Sequence, residues 1–420
     1  MKLAIYALAL VFCLFPYTQI VPLESYTQPY ALIFSGVAAA LAFPTVWRTM
    51  DRGALLALTL LALFGLAAFL LSALPRPDAQ EVKYLLIYLS PVVFAMAAYG
   101  IVVEAPQLGD KVVLFAALAW VVVGAVQSLV SPSFMTQFVG EFSEASEVVV
   151  ASGRGTLGLA PEPTHFGFHM VLLAAFAALV GGRNWLALAC LATAVLMARS
   201  SSAILALSLG AVIYLVLYGG WMRLVLAALV PLYLALGLVV ESGLLPQDVR
   251  AIALLTAFYD DPLYLITSDA SANARLGGIY VGFKEILHNW LIPAGVNSDA
   301  WLARMGPIQV ENPWLAFLST SGIPSGILIV VYHLGVFGLL VLGYLLYRML
   351  RNPRSHVEAF LLCSIVFVFF SQYMISTPGF GVLMGVILGR EYLLRAGRPA
   401  FPTPAPALAG PPALHSAHAQ

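Results

Sequence analysis

The stretch "RGTLGLAPEPTHFGFHM", residues 154–170, places an arginine, a glutamate between two prolines and two histidines at the start of an apolar run. Glu162 lies between Pro161 and Pro163. Proline fixes its own φ, and a residue that precedes proline is driven to extended backbone. A carboxylate held so stiffly beside Arg154 suits either a turn or a binding site. His165 and His169 are four residues apart and share one helix face. That is half the spacing of a zinc site, but no third or fourth ligand stands near, so both read as polar groups satisfied close to an interface. No metal is expected.

The remaining charged residues are few. Arg199, in "ARSSSAILAL", precedes three serines that begin a helix. A guanidinium fork with hydroxyls and free backbone N–H groups can bind an anion, and the competing reading is an interfacial anchor. Arg275 opens an amphipathic segment that carries His288, and Glu311 and Asn312 follow it. His333 sits inside an apolar run, where an ionisable residue is a functional candidate or a neutral histidine bonded within the bundle. No phosphate-binding glycine loop, nucleophile elbow or zinc-protease signature occurs. Arg154, Glu162, Arg199, Arg275 and Glu311 thus form an outward group of charges above apolar helices. They suit a substrate with a lipid tail and a phosphate head, with a carboxylate available as base.

Those residues must be positioned by membrane helices. Hydrophobic residues make up 61% of 420, charged residues 10%, and mean hydropathy is +0.93. Ordinary soluble chains carry about 25% charged residues. Apolar runs of about 20 residues, long enough to cross a ~30 Å hydrocarbon layer, recur throughout. The expectation is an all-α polytopic membrane protein with about twelve spans, near residues 3–22, 29–47, 53–74, 84–103, 111–130, 165–181, 184–198, 202–219, 222–240, 313–347, 357–376 and 378–394. The tenth is too long for one crossing, so "ENPWLAFLSTSG" reads as a short helix or re-entrant lead-in, with the span starting near Ile323. Residues 1–394 form the transmembrane domain, and the Pro/Ala-rich residues 395–420 read as a disordered tail. The N-terminal run reads as a retained first span.

The formal net charge is zero, so bulk charge suggests no nucleic-acid partner. Cys13, Cys190 and Cys363 all fall in apolar runs and read as buried hydrophobes. Gly381, Gly385 and Gly389 share a stripe suited to close helix packing. The short loops "RTMDR" and "RMLRNPR" are basic and set both termini in the cytoplasm by the positive-inside rule. Two long segments then face outward, 131–164 and 241–312. In the second, Leu276, Ile279, Tyr280, Phe283, Ile286, Leu287 and Trp290 recur at helical spacing, with Lys284, Glu285 and His288 on the wetter faces.

Four stretches in this order resemble the bacterial O-antigen ligase/polymerase superfamily of Wzy-type membrane glycosyltransferases. They are "RGTLGLAPEPTHFGFHM", "ARSSSAILAL", "ARLGGIYVGFKEILHNWLIPAGVNS" and "ENPWLAFLSTSGIPSGILI", and together they span roughly residues 150–345. The chain departs from the ligase pattern at Glu311, where a ligase-type segment has histidine before Asn312, and at "PAGVN", where the family has Gly-x-Gly. Those departures point to polymerase over ligase.

The resemblance implies a GT-C-like bundle with one large periplasmic loop in the inner membrane. It implies transfer of a glycan from a polyprenyl diphosphate to a sugar hydroxyl, inversion at the anomeric centre by direct displacement, and neither metal nor cofactor. Arg154, Arg199 and Arg275 would hold the diphosphate, and Glu311 or, second, Glu162 would activate the acceptor. His165, His288 and Asn312 are possible acceptor-binding residues. Partners would be the lipid-linked glycan, membrane lipid, a chain-length regulator and export machinery. The alternatives are an O-antigen ligase acting on lipid A-core and a non-enzymatic transporter.

Overall fold

The computed structural model describes residues 1–20, 27–72, 79–139, 146–151, 155–218, 256, 273–315, 322–371 and 374–398. Among these residues the chain is helical, with no strand and one isolated bridge between Thr18 and Val139. The helices are α1 (Lys2–Leu14), α2 (Tyr30–Thr49), α3 (Arg52–Ser72), α4 (Ala79–Glu104), α5 (Pro106–Leu129), α6 (Ser146–Ala151), α7 (Pro163–Gly181), α8 (Asn184–Ala192), α9 (Ser201–Tyr218), α10 (Gly278–His288), α11 (Ser298–Glu311), α12 (Leu328–Leu350), α13 (His356–Ser371) and α14 (Pro378–Arg395).

Seven of the described helices are long and apolar enough to cross a membrane: α2, α3, α4, α5, α7, α9 and α12. Lys2–Leu14, Asn184–Met197 and His356–Ser371 are shorter apolar helices. The expected span at 222–240, most of the loop at 241–272 and the tail beyond residue 398 lie outside the described residues. The class is therefore a membrane-embedded helical bundle, in which each helix satisfies its own backbone polar groups. Proline opens α5, α7 and α14, where its missing N–H costs nothing.

Helix α7 is the axis of the bundle, buried continuously from Phe166 to Val180. The glycine stripe of α14 lies on α4 as its spacing predicts. A Cβ at Gly381 would stand 2.6 Å from the Pro91 carbonyl oxygen, and one at Gly385 would stand 2.4 Å from that of Ala95. The expected seventh span is α8 continued by a π-helix at Thr193–Met197. The expected lead-in to the tenth span is a 3-10 turn at Pro313–Leu315, and the span itself starts at Leu328.

Ion pairs gather at one end of the bundle. There Lys2 meets Glu104 (2.6 Å), Arg183 makes a two-pronged contact with Asp110, and Arg390 meets Glu358 (2.8 Å). Arg348 bridges Asp51 (2.6 Å) and Glu391 (2.7 Å). Both basic short loops lie at this end. The start of α7 is at the other.

Helix α12 is broken. Gly335 has φ 59° and ψ −138°, and the segment 291–295 lies against the break. Ala294 and Gly295 donate their N–H groups to the carbonyls of Tyr332 (3.1 Å) and His333 (3.2 Å), and Val336 donates to the Leu291 carbonyl (2.8 Å). A Cβ at position 335 would stand 2.2 Å from the Leu291 oxygen, so this turn needs glycine for its space as well as its φ. Irregular backbone inside a long apolar helix persists because another segment pairs with its free groups.

The segment between α9 and α12 departs from the sequence reading on one face. Helix α10 forms as expected after a π-helical turn at Asn273–Gly277. However, Glu285 is buried and pairs with Arg304 of α11 (3.2 Å), whereas Tyr280, Phe283 and Leu287 are exposed. The carboxylate expected on a wet face is instead the anchor that docks α11.

Candidate functional site

The conspicuous stretch 155–170 is built around a side chain the sequence reading passed over. Gln127 of α5 is 1% exposed and grips the backbone of Gly158 from both sides. Its Oε1 accepts the Gly158 N–H (2.7 Å), and its Nε2 donates to the Gly158 carbonyl (2.8 Å) and to that of Phe134 (2.8 Å). Gly158 has φ 59°, and a Cβ there would strike the Phe166 ring. A lone amide in the apolar stretch "VVVGAVQSL" was the available signal. Next along the chain, Thr156 donates its N–H to the Met197 carbonyl (2.9 Å), which ties the stretch to the turn before α9.

Glu162 follows as the N-cap residue of α7, with extended backbone at φ −145° and ψ 152°. This is the conformation its flanking prolines predict. Its carbonyl accepts the Phe166 N–H (3.0 Å), so its carboxylate is free of capping work. Thr164 and His165 form the first turn of α7. All three side chains are half-buried.

Arg275 reaches this turn from the π-helical turn before α10. Its Nη1 donates to Ser202 Oγ (2.6 Å) at the start of α9, and its Nη2 donates to Thr164 Oγ1 (3.3 Å). One guanidinium therefore joins the starts of two apolar helices. Both hydroxyls accept from Arg275 and keep a proton to donate onward. The Glu162 carboxylate and the Arg275 guanidinium both act electrostatically on the His165 imidazole, which also lies against the Tyr17 ring (centroids 5.8 Å). The result is a cation, a carboxylate, an imidazole and two hydroxyls at one end of the bundle, away from the ion-paired end.

Arg199 stands beside this group in sequence but is used differently. It is exposed, has φ 45°, and makes no ion pair or hydrogen bond among the described residues. Ser200 is buried and caps α9 by accepting the Ala203 N–H (3.2 Å). The serines expected to assist Arg199 are thus divided, Ser200 serving the helix and Ser202 serving Arg275.

The other candidates lie apart from these contacts. Glu311 ends α11, with its side chain 68% exposed and 3.8 Å from Lys284. Asn312 turns its amide back to the Ile308 carbonyl (2.9 Å), and His288 is exposed at the end of α10. Arg154 lies outside the described residues. His169 does not pair with His165 as half of a metal site. Its Nε2 donates to the Leu14 carbonyl (2.8 Å), which also accepts from Trp120 Nε1 (3.0 Å). His333 is buried and shares a hydrogen bond with the Tyr88 hydroxyl (2.6 Å) at the break in α12.

Comparison of the chain with protein-family models, curated proteins and solved structures finds no match.

Proposed function

We propose that this protein is a membrane glycosyltransferase that polymerises polyprenyl-diphosphate-linked oligosaccharide units at the outer face of the bacterial inner membrane. The observation that carries this reading is Arg275, held at the heads of α7 and α9 beside Glu162 and His165. A lipid diphosphate would place its chain along the apolar helices and its phosphates against the guanidinium and the Thr164 and Ser202 hydroxyls. Arg199, exposed and without an ion pair among the described residues, would reach the same leaving group from the rim. Charge that develops on the diphosphate as the glycosidic bond breaks would be offset by these fixed donors. A carboxylate accepts the proton of the attacking sugar hydroxyl. Glu162 is favoured over Glu311, because Glu162 is half-buried and acts, as Arg275 does, on His165, while Glu311 stands in solvent with Lys284. No metal or cofactor enters the proposed step.

The test is elongation of purified lipid-linked repeat units by the purified protein in liposomes. Polymer of increasing length is expected, and transfer to lipid A-core without elongation would make the protein a ligase. A second reading, a transporter of lipid-linked glycan, is favoured by the interrupted helix α12, since broken helices mark many transport sites. Movement of the intact lipid-linked unit across the bilayer, with no new glycosidic bond, would establish it.

A further inference from the structure

At the ion-paired end of the bundle a cavity of about 520 Å³ opens between the ends of α9, α12, α13 and α14. Arg351, Arg354, Arg390 and Arg395 line it, together with the apolar side chains of Leu179, Leu362 and Ile387. The carboxylates around it are already engaged. Glu358 takes Arg390 (2.8 Å) and the Arg354 N–H (2.8 Å), and Glu391 takes Arg348 (2.7 Å) and Arg395 (3.5 Å). Asp51 takes the same two arginines, at 2.6 and 3.9 Å. Five guanidiniums thus face three carboxylates among the described residues.

The excess falls on Arg351 and Arg354. Neither makes an ion pair among the described residues, where Arg351 rests on the Tyr347 ring (5.9 Å). Partial loss of solvent and the nearby Arg390 charge push the Arg354 guanidinium below its usual range, against the pull of Glu358. Like charges held close around an open space are relieved by an anion. Arginine is well suited to a phosphate because its planar fork offers paired donors.

From this geometry we infer that the cavity binds a phosphate-bearing anion, the headgroup of an anionic phospholipid, between Arg351 and Arg354 with its acyl chains along the apolar wall. The site is separate from the Arg275 group and stands whether or not the protein makes polymer. Basic pockets between membrane helices take such headgroups.

Native mass spectrometry of the full chain would measure retention of phosphatidylglycerol and of phosphatidylcholine. In parallel, thermal stabilisation by glycerol phosphate and by inorganic phosphate would be recorded. The wild-type protein is expected to retain phosphatidylglycerol preferentially. Arg351→Gln with Arg354→Gln should weaken retention on the order of tenfold or more. Both side chains lie largely exposed at the rim of the cavity and make no ion pair among the described residues, so the variant is expected to keep its melting temperature in lipid-free detergent, and Arg354→Lys should keep part of the binding. Stabilisation by the soluble phosphates equal to that by the lipid would assign the site to a free phosphoryl ligand. Equal phosphatidylglycerol retention by the wild type and the double variant, with no phosphate effect on either, would overturn the inference.

Discussion

Arg275 and Ser202 are joined by a 2.6 Å hydrogen bond that spans 73 positions of the chain and ties the turn before α10 to the head of α9. If this guanidinium holds a lipid diphosphate, Arg275→Ala leaves the phosphate charge poorly compensated, at a cost on the order of 2–5 kcal/mol. Elongation should fall to background while membrane insertion and melting temperature change little. Lysine should restore only part of the rate, since it lacks the fork that meets Ser202 and Thr164 together. Wild-type elongation by the alanine variant would reduce Arg275 to a structural tie.

The two carboxylates separate cleanly by substitution. If Glu162 is the base, Glu162→Gln keeps its shape but cannot take the proton, and the elongation rate should drop by about 10²–10⁴-fold. Glu311→Gln removes only an exposed pair with Lys284, a contact of little energetic weight, and should leave the rate near wild type. The reverse pattern would return the role of base to Glu311.

Arg199 allows backbone and charge to be tested apart. At φ 45° a residue with a Cβ is strained, by about 1–2 kcal/mol in the left-handed region, and glycine is not. Arg199→Gly should therefore leave the melting temperature unchanged or raise it, while elongation falls if the guanidinium meets the substrate. A lower melting temperature would mean that the side chain carries a stabilising role its exposure conceals.

At the opposite end, pH reports on Asp51. Loss of solvent raises its carboxyl, but hydrogen bonds from Arg348 and the Ala54 N–H and the charges of Arg348 and Arg395 together hold it below the usual carboxylate range. A group whose pKa is lower in the folded chain adds stability above its unfolded value, near ~4, and loses it as pH falls through the folded value. The melting temperature should fall on acidification below about pH 4, and Asp51→Asn should lower it at neutral pH while flattening that acid limb. An unchanged profile would show that Arg348 is held by Glu391 alone.

What could be read from the chain followed local rules. Two prolines set the extended backbone of Glu162, a four-residue glycine repeat set the packing of α14 on α4, and helical spacing located α10. Pairings between distant segments left no such mark. The Ser202 hydroxyl that meets Arg275 looks like any serine at a helix start. Glu285 carries a charge that suggests solvent until Arg304 is placed against it. Gln127 and Gly335 were visible only as residues out of keeping with their apolar surroundings. Their partners, Gly158 and Leu291, are recognised through backbone atoms, which every residue carries alike. Periodicity is a property of one element, whereas a site made by several elements is written in contacts between them.

The break in α12 bears on how the protein opens. Residues 291–295 and 332–336 exchange three backbone hydrogen bonds, so neither can loosen without exposing amide groups of the other. In amide exchange the protons of Ala294, Gly295 and Val336 should therefore behave as one kinetic group, slowed together and released together. The loop that carries Arg275 and α10 is thus geared to a membrane helix rather than hung above it. A displacement of α10 and the turn before it would travel through Gly335 to the place where Tyr88 and His333 meet.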